Sequence, residues 1–116
     1  MTTLRNRVQL VGNLGIDPEI VKFESGKKLA KFTVATNESF TDAKGNKTTD
    51  TQWHNVVAWG KQADLVEKHL NKGNGVTLDG KLTYRQYEDK NKQKHYITEI
   101  VLNSFIVSPA DRKNVE

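Results

Sequence analysis

Residues 51–72 read TQWHNVVAWGKQADLVEKHLNK, and the hydrophobic period changes in the middle of this stretch. Up to Gly60 the period is two, which is typical of a β-strand and places Trp53 and Trp59 on the same face. After Gly60 the apolar residues recur at helical spacing, at Ala63, Val66 and Leu70. The stretch therefore predicts a strand that passes through a glycine directly into a helix over residues 61–72.

Outward from this stretch, alternating and β-branched segments predict further strands on both sides. They cover residues 7–12 with a continuation at 20–23, then 29–36, 76–87 and 96–107. Residues 37–50 are polar and predict a long mobile loop, and residues 88–94 predict a charged hairpin tip. Three strands, one helix and two strands is the element order of the oligonucleotide/oligosaccharide-binding barrel, the OB-fold. We therefore expect an all-β fold, a five-stranded OB-fold barrel with one α-helix between strands 3 and 4.

Length and composition predict one domain that favours an anionic partner. At 116 residues the chain can bury one core, and we expect a single domain over residues 1–108 followed by a short flexible C-terminus at 109–116. The formal net charge is +4 and the pI is about 9.3, which favours an anionic partner without requiring one. The chain has no cysteine and no apolar run near the roughly 20 residues of a membrane span, so we expect a cytoplasmic protein.

The residue types that carry catalysis do not form a constellation in this sequence. The three histidines, His54, His69 and His95, lie on different predicted elements, and no metal-ligand spacing stands out around them. No nucleophile motif is present, so we expect no enzymatic activity, no metal and no cofactor. Residues 12–15 read Gly-Asn-Leu-Gly and match the bare Gly-x-x-Gly of KH domains, but both flanks predict strands. A bend in a curved strand is the favoured interpretation of these glycines.

The two indoles pose a choice between a hydrophobic core and a binding surface. Strand alternation separates Trp53, Asn55, Val57 and Trp59 from His54, Val56 and Ala58. The polar Asn55 between the indoles indicates that their face is in contact with water. The opposite face, with the small apolar Val56 and Ala58, is better suited to the core or to a subunit contact. We therefore predict that both indoles are exposed for stacking, with burial as the alternative. His54 is predicted to be a structural hydrogen-bonding group.

Three further aromatic residues are candidates for the same surface. Phe40 lies in the predicted polar loop, where a lone phenylalanine favours a contact with a ligand or a partner. Tyr84 and Tyr87 differ by an odd number, so a regular strand cannot present both on one face. We predict that Tyr87, next to the charged tip, is exposed and that Tyr84 packs inward.

Cations adjacent to aromatic residues favour contacts with a phosphate backbone. Lys61 directly follows Trp59, and Arg85 lies between the two tyrosines, so these two are the better-placed candidates. The other lysines near the second strand and at the hairpin tip are more typical of a solvated surface; they are Lys22, Lys27, Lys28, Lys31, Lys90, Lys92 and Lys94.

Four segments together resemble a known family. They are residues 11–19 (VGNLGIDPE), 32–39 (FTVATNES), 51–63 (TQWHNVVAWGKQA) and 70–76 (LNKGNGV). In this order they resemble the bacterial single-stranded DNA-binding protein family, SSB, across nearly the whole chain. The resemblance implies an OB-fold, usually a homotetramer with a dimer possible here, that coats single-stranded DNA without sequence preference in replication, recombination and repair. It also implies a nucleoid-associated location.

The resemblance also implies a set of site residues. The nucleic-acid-binding residues that it implies are the aromatics Phe40, Trp53, Trp59 and Tyr87 and the basic residues Arg7, Lys61, Lys72 and Arg85, with His54 at an oligomer interface. Phe40 and Tyr87 stand where many members have tryptophan, which leaves stacking possible with less contact area. The family usually ends in an acidic, hydrophobic tip that recruits protein partners, whereas residues 111–116 carry two acids and two bases, so recruitment in that way is doubtful.

Two alternatives stay open from the sequence. One is an SSB-like accessory or primosomal replication restart protein of the same fold, a dimer acting mainly through protein interactions. The other is a saccharide-binding OB domain, which would use aromatic faces but would not need the basic excess. Oligomer mass separates the first from SSB, and indifference to salt would favour the second.

Overall fold

The computed structural model describes residues 5–108. Six strands and one helix follow one another along the chain: β1 Val8–Leu14, β2 Glu19–Lys22, β3 Lys28–Thr41, β4 Lys47–Trp59, α1 Lys61–His69, β5 Gly75–Glu88 and β6 Lys94–Val107. The order of elements agrees with the prediction, and the single helix follows β4 as expected. The predicted residues 109–116 of the C-terminus lie outside the described part.

The sheet closes on itself into a barrel. β1 pairs with β5, β5 with β6, β4 with β3 and β3 with β1, all antiparallel, and β4 pairs with β6 in parallel. Both β1 and β2 pair with β3, so they are two segments of one curved strand, interrupted between Leu14 and Glu19. Counted in this way the barrel has five strands, and the prediction of a five-stranded OB-fold is confirmed.

The core lies inside the barrel and beneath the helix. Phe32, Val56 and Leu78 are buried on the inner faces of β3, β4 and β5. The helix buries Ala63 and Val66 against the barrel, and its last turn ends at the buried Leu70, whose N–H donates to the carbonyl of Val66. This apolar stripe is the one that the helical spacing predicts.

Lys28, at the start of β3, ties the helix to the barrel. Its ammonium donates to the carboxylates of Asp64 and Glu67, and these hydrogen bonds raise the pKa of Lys28.

In the described residues, no helix is both long and apolar enough to cross a bilayer.

The predicted loop over residues 37–50 is wrong. β3 and β4 pair from Leu29↔Trp59 to Thr41↔Lys47 without a register shift, and only residues 42–46 form the turn. There the Asp42 carboxylate accepts the backbone N–H groups of Lys44 and Asn46, as in an Asx turn. Residues 37–53 are exposed on both faces, so this ribbon needs no apolar alternation, and its threonines supply β-propensity instead.

Candidate nucleic-acid interface

The outer face of β4 presents both indoles to solvent. Trp53 is 62% exposed and Trp59 46%, whereas Val56 and Ala58 on the inner face are 1% and 0% exposed. The prediction from strand alternation is confirmed. Asn55 is exposed between the indoles, as predicted, but Val57 on the same face is buried.

Val57 is buried because the β5–β6 hairpin lies beside it. Together with Arg85 and Glu99 it lines a groove of about 180 Å³ between that hairpin and the outer face of β4. β4 meets β6 there in only a short parallel pairing, Val56↔Ile100 and Val57↔Val101. The groove therefore lies between the outer face of β4, which carries the indoles, and the β5–β6 hairpin.

Trp53 lies directly against the backbone at Gly15. A Cβ at Gly15 would be 2.3 Å from Cζ3 of Trp53, so only glycine leaves room for the ring in this position. The N–H of Gly15 donates to the carbonyl of Thr33, on the strand that pairs with the Trp53 strand. At Gly12 a Cβ would be 2.1 Å from the carbonyl oxygen of Ala35. Gly12 within β1 and Gly15 in the bend directly after it therefore allow close approach to neighbouring groups, and because strands flank this segment a KH-type loop is excluded.

Trp59 has an aromatic partner that the sequence analysis missed. The ring of Phe23 stacks on the indole with 6.1 Å between centroids and 18° between planes. Phe23 directly follows β2, and its place beside Trp59 follows from the cross-strand register, which the sequence pattern does not reveal. In the β2–β3 pairing, odd residues such as Val21 lie opposite odd residues such as Leu29, and Leu29 pairs with Trp59.

Tyr87 lies on the β5–β6 hairpin, two residues beyond Arg85 and opposite His95. It is 47% exposed, as predicted, and stacks on His95 with 5.2 Å between centroids. Nε2 of His95 is 2.7 Å from Oδ2 of Asp89. That hydrogen bond, followed by those from the backbone N–H groups of Gln93 and Asn91, lowers the pKa of Asp89.

Tyr84 does not pack inward, and this prediction is wrong. It is 74% exposed. Residues 84–88 pair only with residues 94–98, so here too a two-stranded ribbon extends past the barrel, and the face that carries Tyr84 lies in solvent. Tyr96, which the sequence analysis did not consider, is 76% exposed and shares the face of Tyr84, opposite to the face of Tyr87.

Phe40 is exposed, but the structure does not bring it onto the indole face. It lies within β3, opposite Thr48, and is 51% exposed. Ala35 is the β3 residue that pairs with Trp53, and Phe40 is an odd number of residues further along a strand without register shifts. Its side chain therefore belongs to the reverse face of the ribbon.

The four predicted cations fall into two classes. Arg7 pairs with Asp79 at 3.1 Å, and Arg85 makes hydrogen bonds of 3.1 and 3.3 Å to the carboxylate of Glu99. The hydrogen bonds and the charge of Glu99 raise the pKa of Arg85. Lys61 and Lys72, by contrast, form no ion pair within residues 5–108; the backbone N–H of Lys72 donates to Asp17.

His54 faces away from the indoles, as predicted. Its Nε2 is 3.0 Å from Oγ1 of Thr36, and the ring is partly buried.

Across the described residues, no group of three or more His, Cys, Asp or Glu side chains could hold a metal ion. The arrangement offers aromatic faces and ammonium groups, which suit binding.

Comparison with known proteins gives consistent matches. The sequence profile of the Single-strand binding protein family matches residues 5–108. The chain is 46% identical over 97 residues to single-stranded DNA-binding protein 1 of Chlorobaculum tepidum, a match covering 83% of this chain and 60% of that protein. The chain thus spans about 60% of the length of this curated relative.

Solved structures agree with the sequence matches. The SSB of Plasmodium falciparum in complex with single-stranded DNA superposes with a TM-score of 0.82 at 32% identity, covering 93% of this chain and 98% of that one. A deletion variant of the single-stranded DNA-binding protein from Thermus aquaticus gives 0.76 at 26% identity, covering 89% and 50%. With its barrel, its exposed indoles and these matches, the chain belongs to the Single-strand binding protein family.

Proposed function

We propose that this protein binds single-stranded DNA without sequence preference and protects it during replication, recombination and repair. The observation that carries the proposal is the exposure of both indoles on one outer face of β4, next to Lys61, which forms no ion pair within residues 5–108. The fold, the family match and the similarity to an SSB solved with single-stranded DNA support it.

Binding rests on stacking of unpaired bases. Trp53 and Trp59 on the outer face of β4 and Tyr87 on the β5–β6 hairpin are exposed, and each base stacked on such a ring contributes about 1–3 kcal/mol. Every base has a π-face, so the stacking tolerates any sequence. Bases inside a duplex are already stacked and paired, so the aromatic rings give the preference for single strands.

Phe40 extends the aromatic path to the reverse face of the β3–β4 ribbon. A strand that contacts both Trp53 and Phe40 must therefore pass around the ribbon and not along one side of it. This requires a longer segment of DNA than the outer face alone would hold.

The basic residues follow the phosphates. Lys61 and Lys72 form no ion pair with a carboxylate within residues 5–108, so their ammonium groups can bind phosphate without first breaking an ion pair. Arg7 and Arg85 are paired with Asp79 and Glu99 and contact phosphate through the N–H groups that these carboxylates leave free. The lysines are the stronger candidates on this ground.

Further properties of the protein belong to the same proposal. We expect a homo-oligomer, with a tetramer favoured and a dimer possible, and His54 and Thr36 near the contact between subunits. We expect a cytoplasmic, nucleoid-associated protein that acts by binding and not by catalysis.

A titration with oligo-dT tests the function. We expect quenching of tryptophan emission and tight binding that weakens linearly in log salt, with about 0.7 of slope for each phosphate contact. A duplex of equal length should bind far more weakly. Equal affinity for duplex, or unchanged emission at saturation, would contradict the proposal, and binding of an oligosaccharide without salt dependence would favour a saccharide ligand.

A further inference from the structure

A cavity of about 690 Å³ lies at the end of β4, between Trp59 and the turn that joins β2 to β3. Its volume is within the range of roughly 300–1,000 Å³ that is typical of small-molecule sites. Trp59 supplies an aromatic wall, Lys27 and Lys61 supply charges, and Gly26 and Gly60 keep the cavity open. The chemistry of this lining suits a nucleotide, with a flat base and an anionic phosphate.

The β2–β3 turn brings Lys27 to this cavity and Phe23 to the ring of Trp59. The backbone N–H of Phe23 donates to the carbonyl of Lys27, which extends the β2–β3 pairing by one step beyond Lys22↔Lys28. Phe23 and Lys27 therefore share a face with Leu29, the residue that pairs with Trp59. The turn is closed at Gly26, which has a φ of 90° and donates its N–H to the carbonyl of Phe23.

Phe23 holds Trp59 but does not itself line the cavity. The two rings are nearly parallel, at 18°, in the offset arrangement that aromatic pairs prefer. The cavity is bordered by Trp59 and not by Phe23. Phe23 thus packs on the indole, while the part of Trp59 that borders the cavity stays accessible to a ligand.

The charges at this cavity are not equivalent. Lys28 is bound to Asp64 and Glu67, so it neutralises the only acidic side chain among the described residues that line the cavity. Lys27 and Lys61 form no ion pair within residues 5–108. Two ammonium groups therefore border the indole without a carboxylate to compete for them.

We propose that this turn forms one nucleotide step of the single-strand path. One base stacks on Trp59, its flanking phosphates contact Lys27 and Lys61, and Phe23 is the positioning residue that holds the indole. The inference rests on the proposed function and adds to it two residues, Phe23 and Lys27, on a hairpin outside the predicted site.

The test uses a Trp53→Phe parent, in which Trp59 is the only tryptophan and its emission reports on this step alone. In this parent, Phe23→Leu removes the ring and keeps an apolar side chain, whereas Phe23→Tyr keeps the ring. Lys27→Gln removes the proposed phosphate contact. Lys22→Gln is the matched control, because Lys22 lies on the same hairpin, carries the same charge and faces the opposite side.

We expect Phe23→Leu to weaken oligo-dT binding about threefold to tenfold and to reduce the quenching of Trp59, whereas Phe23→Tyr should match the parent. Lys27→Gln should lower the slope of log affinity against log salt by about 0.7, and Lys22→Gln should leave the slope unchanged.

Two results would overturn the inference. One is parent-like affinity and quenching in folded Phe23→Leu, and the other is an equal change of slope in Lys27→Gln and Lys22→Gln. If Phe23→Leu fails to fold by circular dichroism, the comparison of the two lysine variants decides. Failure of the proposed function looks different, because then the wild-type chain would not prefer oligo-dT over duplex and Trp53→Ala would change nothing.

Discussion

The contact between Gly15 and Trp53 predicts that a methyl group added at Gly15, outside β4 in the sequence, weakens DNA binding. In Gly15→Ala the new Cβ would lie 2.3 Å from Cζ3 of Trp53, whereas ordinary contact begins at 3.4 Å, so the indole must move by about 1.1 Å. The ring is 62% exposed and can swing outward, so the cost in folding stability should stay below about 2 kcal/mol.

The displacement of the indole should instead lower the affinity for single-stranded DNA. Complete loss of the stack in Trp53→Ala costs about 1–3 kcal/mol, and Gly15→Ala should forfeit part of that amount, roughly threefold to tenfold in affinity. We would measure anisotropy of a labelled oligo-dT at fixed salt, with thermal unfolding of each variant to verify the fold.

A double-mutant cycle makes this test sharp. If Gly15 acts through Trp53, adding Gly15→Ala to Trp53→Ala should have little further effect on affinity, because the ring that it displaces is already gone. Equal losses in both backgrounds would refute the reasoning and would point to Thr33, whose Oγ1 would be 3.0 Å from the same Cβ.

Two further predictions concern charge. Lys61→Gln and Lys72→Gln should each lower the slope of log affinity for oligo-dT against log salt by about 0.7. Arg7→Gln should lower this slope less, because the charge of Arg7 is already paired with Asp79. Equal slopes for all three variants would contradict the distinction between paired and unpaired cations. The pKa of Asp89 is lowered from 3.8 by His95, so the stabilisation from their pair is present above pH 3.8 and is lost as the pH falls through the lower folded value. Asp89→Asn should therefore reduce the melting temperature at pH 5, and the difference from wild type should shrink toward pH 2; a constant difference would contradict this.

Strand alternation and element order predicted the barrel and the exposure of both indoles. These features follow from local periodicity, since Trp53 and Trp59 lie on one strand whose inner residues form the core. The binding roles of all eight site residues and the interface role of His54 remain predictions, although the structure shows the eight at the surface; they are Phe40, Trp53, Trp59, Tyr87, Arg7, Lys61, Lys72 and Arg85.

The errors have a common physical origin. The β3–β4 ribbon is solvated on both faces, so it lacks the apolar alternation by which a strand is recognised, and residues 37–50 resembled a loop. Tyr84 was misplaced for the same reason. The pairing of Arg85 with Glu99 and the stack of Phe23 on Trp59 depend on cross-strand register, which the turns set and the sequence pattern does not reveal.

The stacks of Phe23 on Trp59 and of His95 on Tyr87 have a kinetic consequence. Each of these rings already has one side occupied before any ligand arrives, so it offers one side to a base and cannot join a clamp that grips the base from above and below. A bound strand can then dissociate one base at a time, because no pair of rings has to separate to release a base.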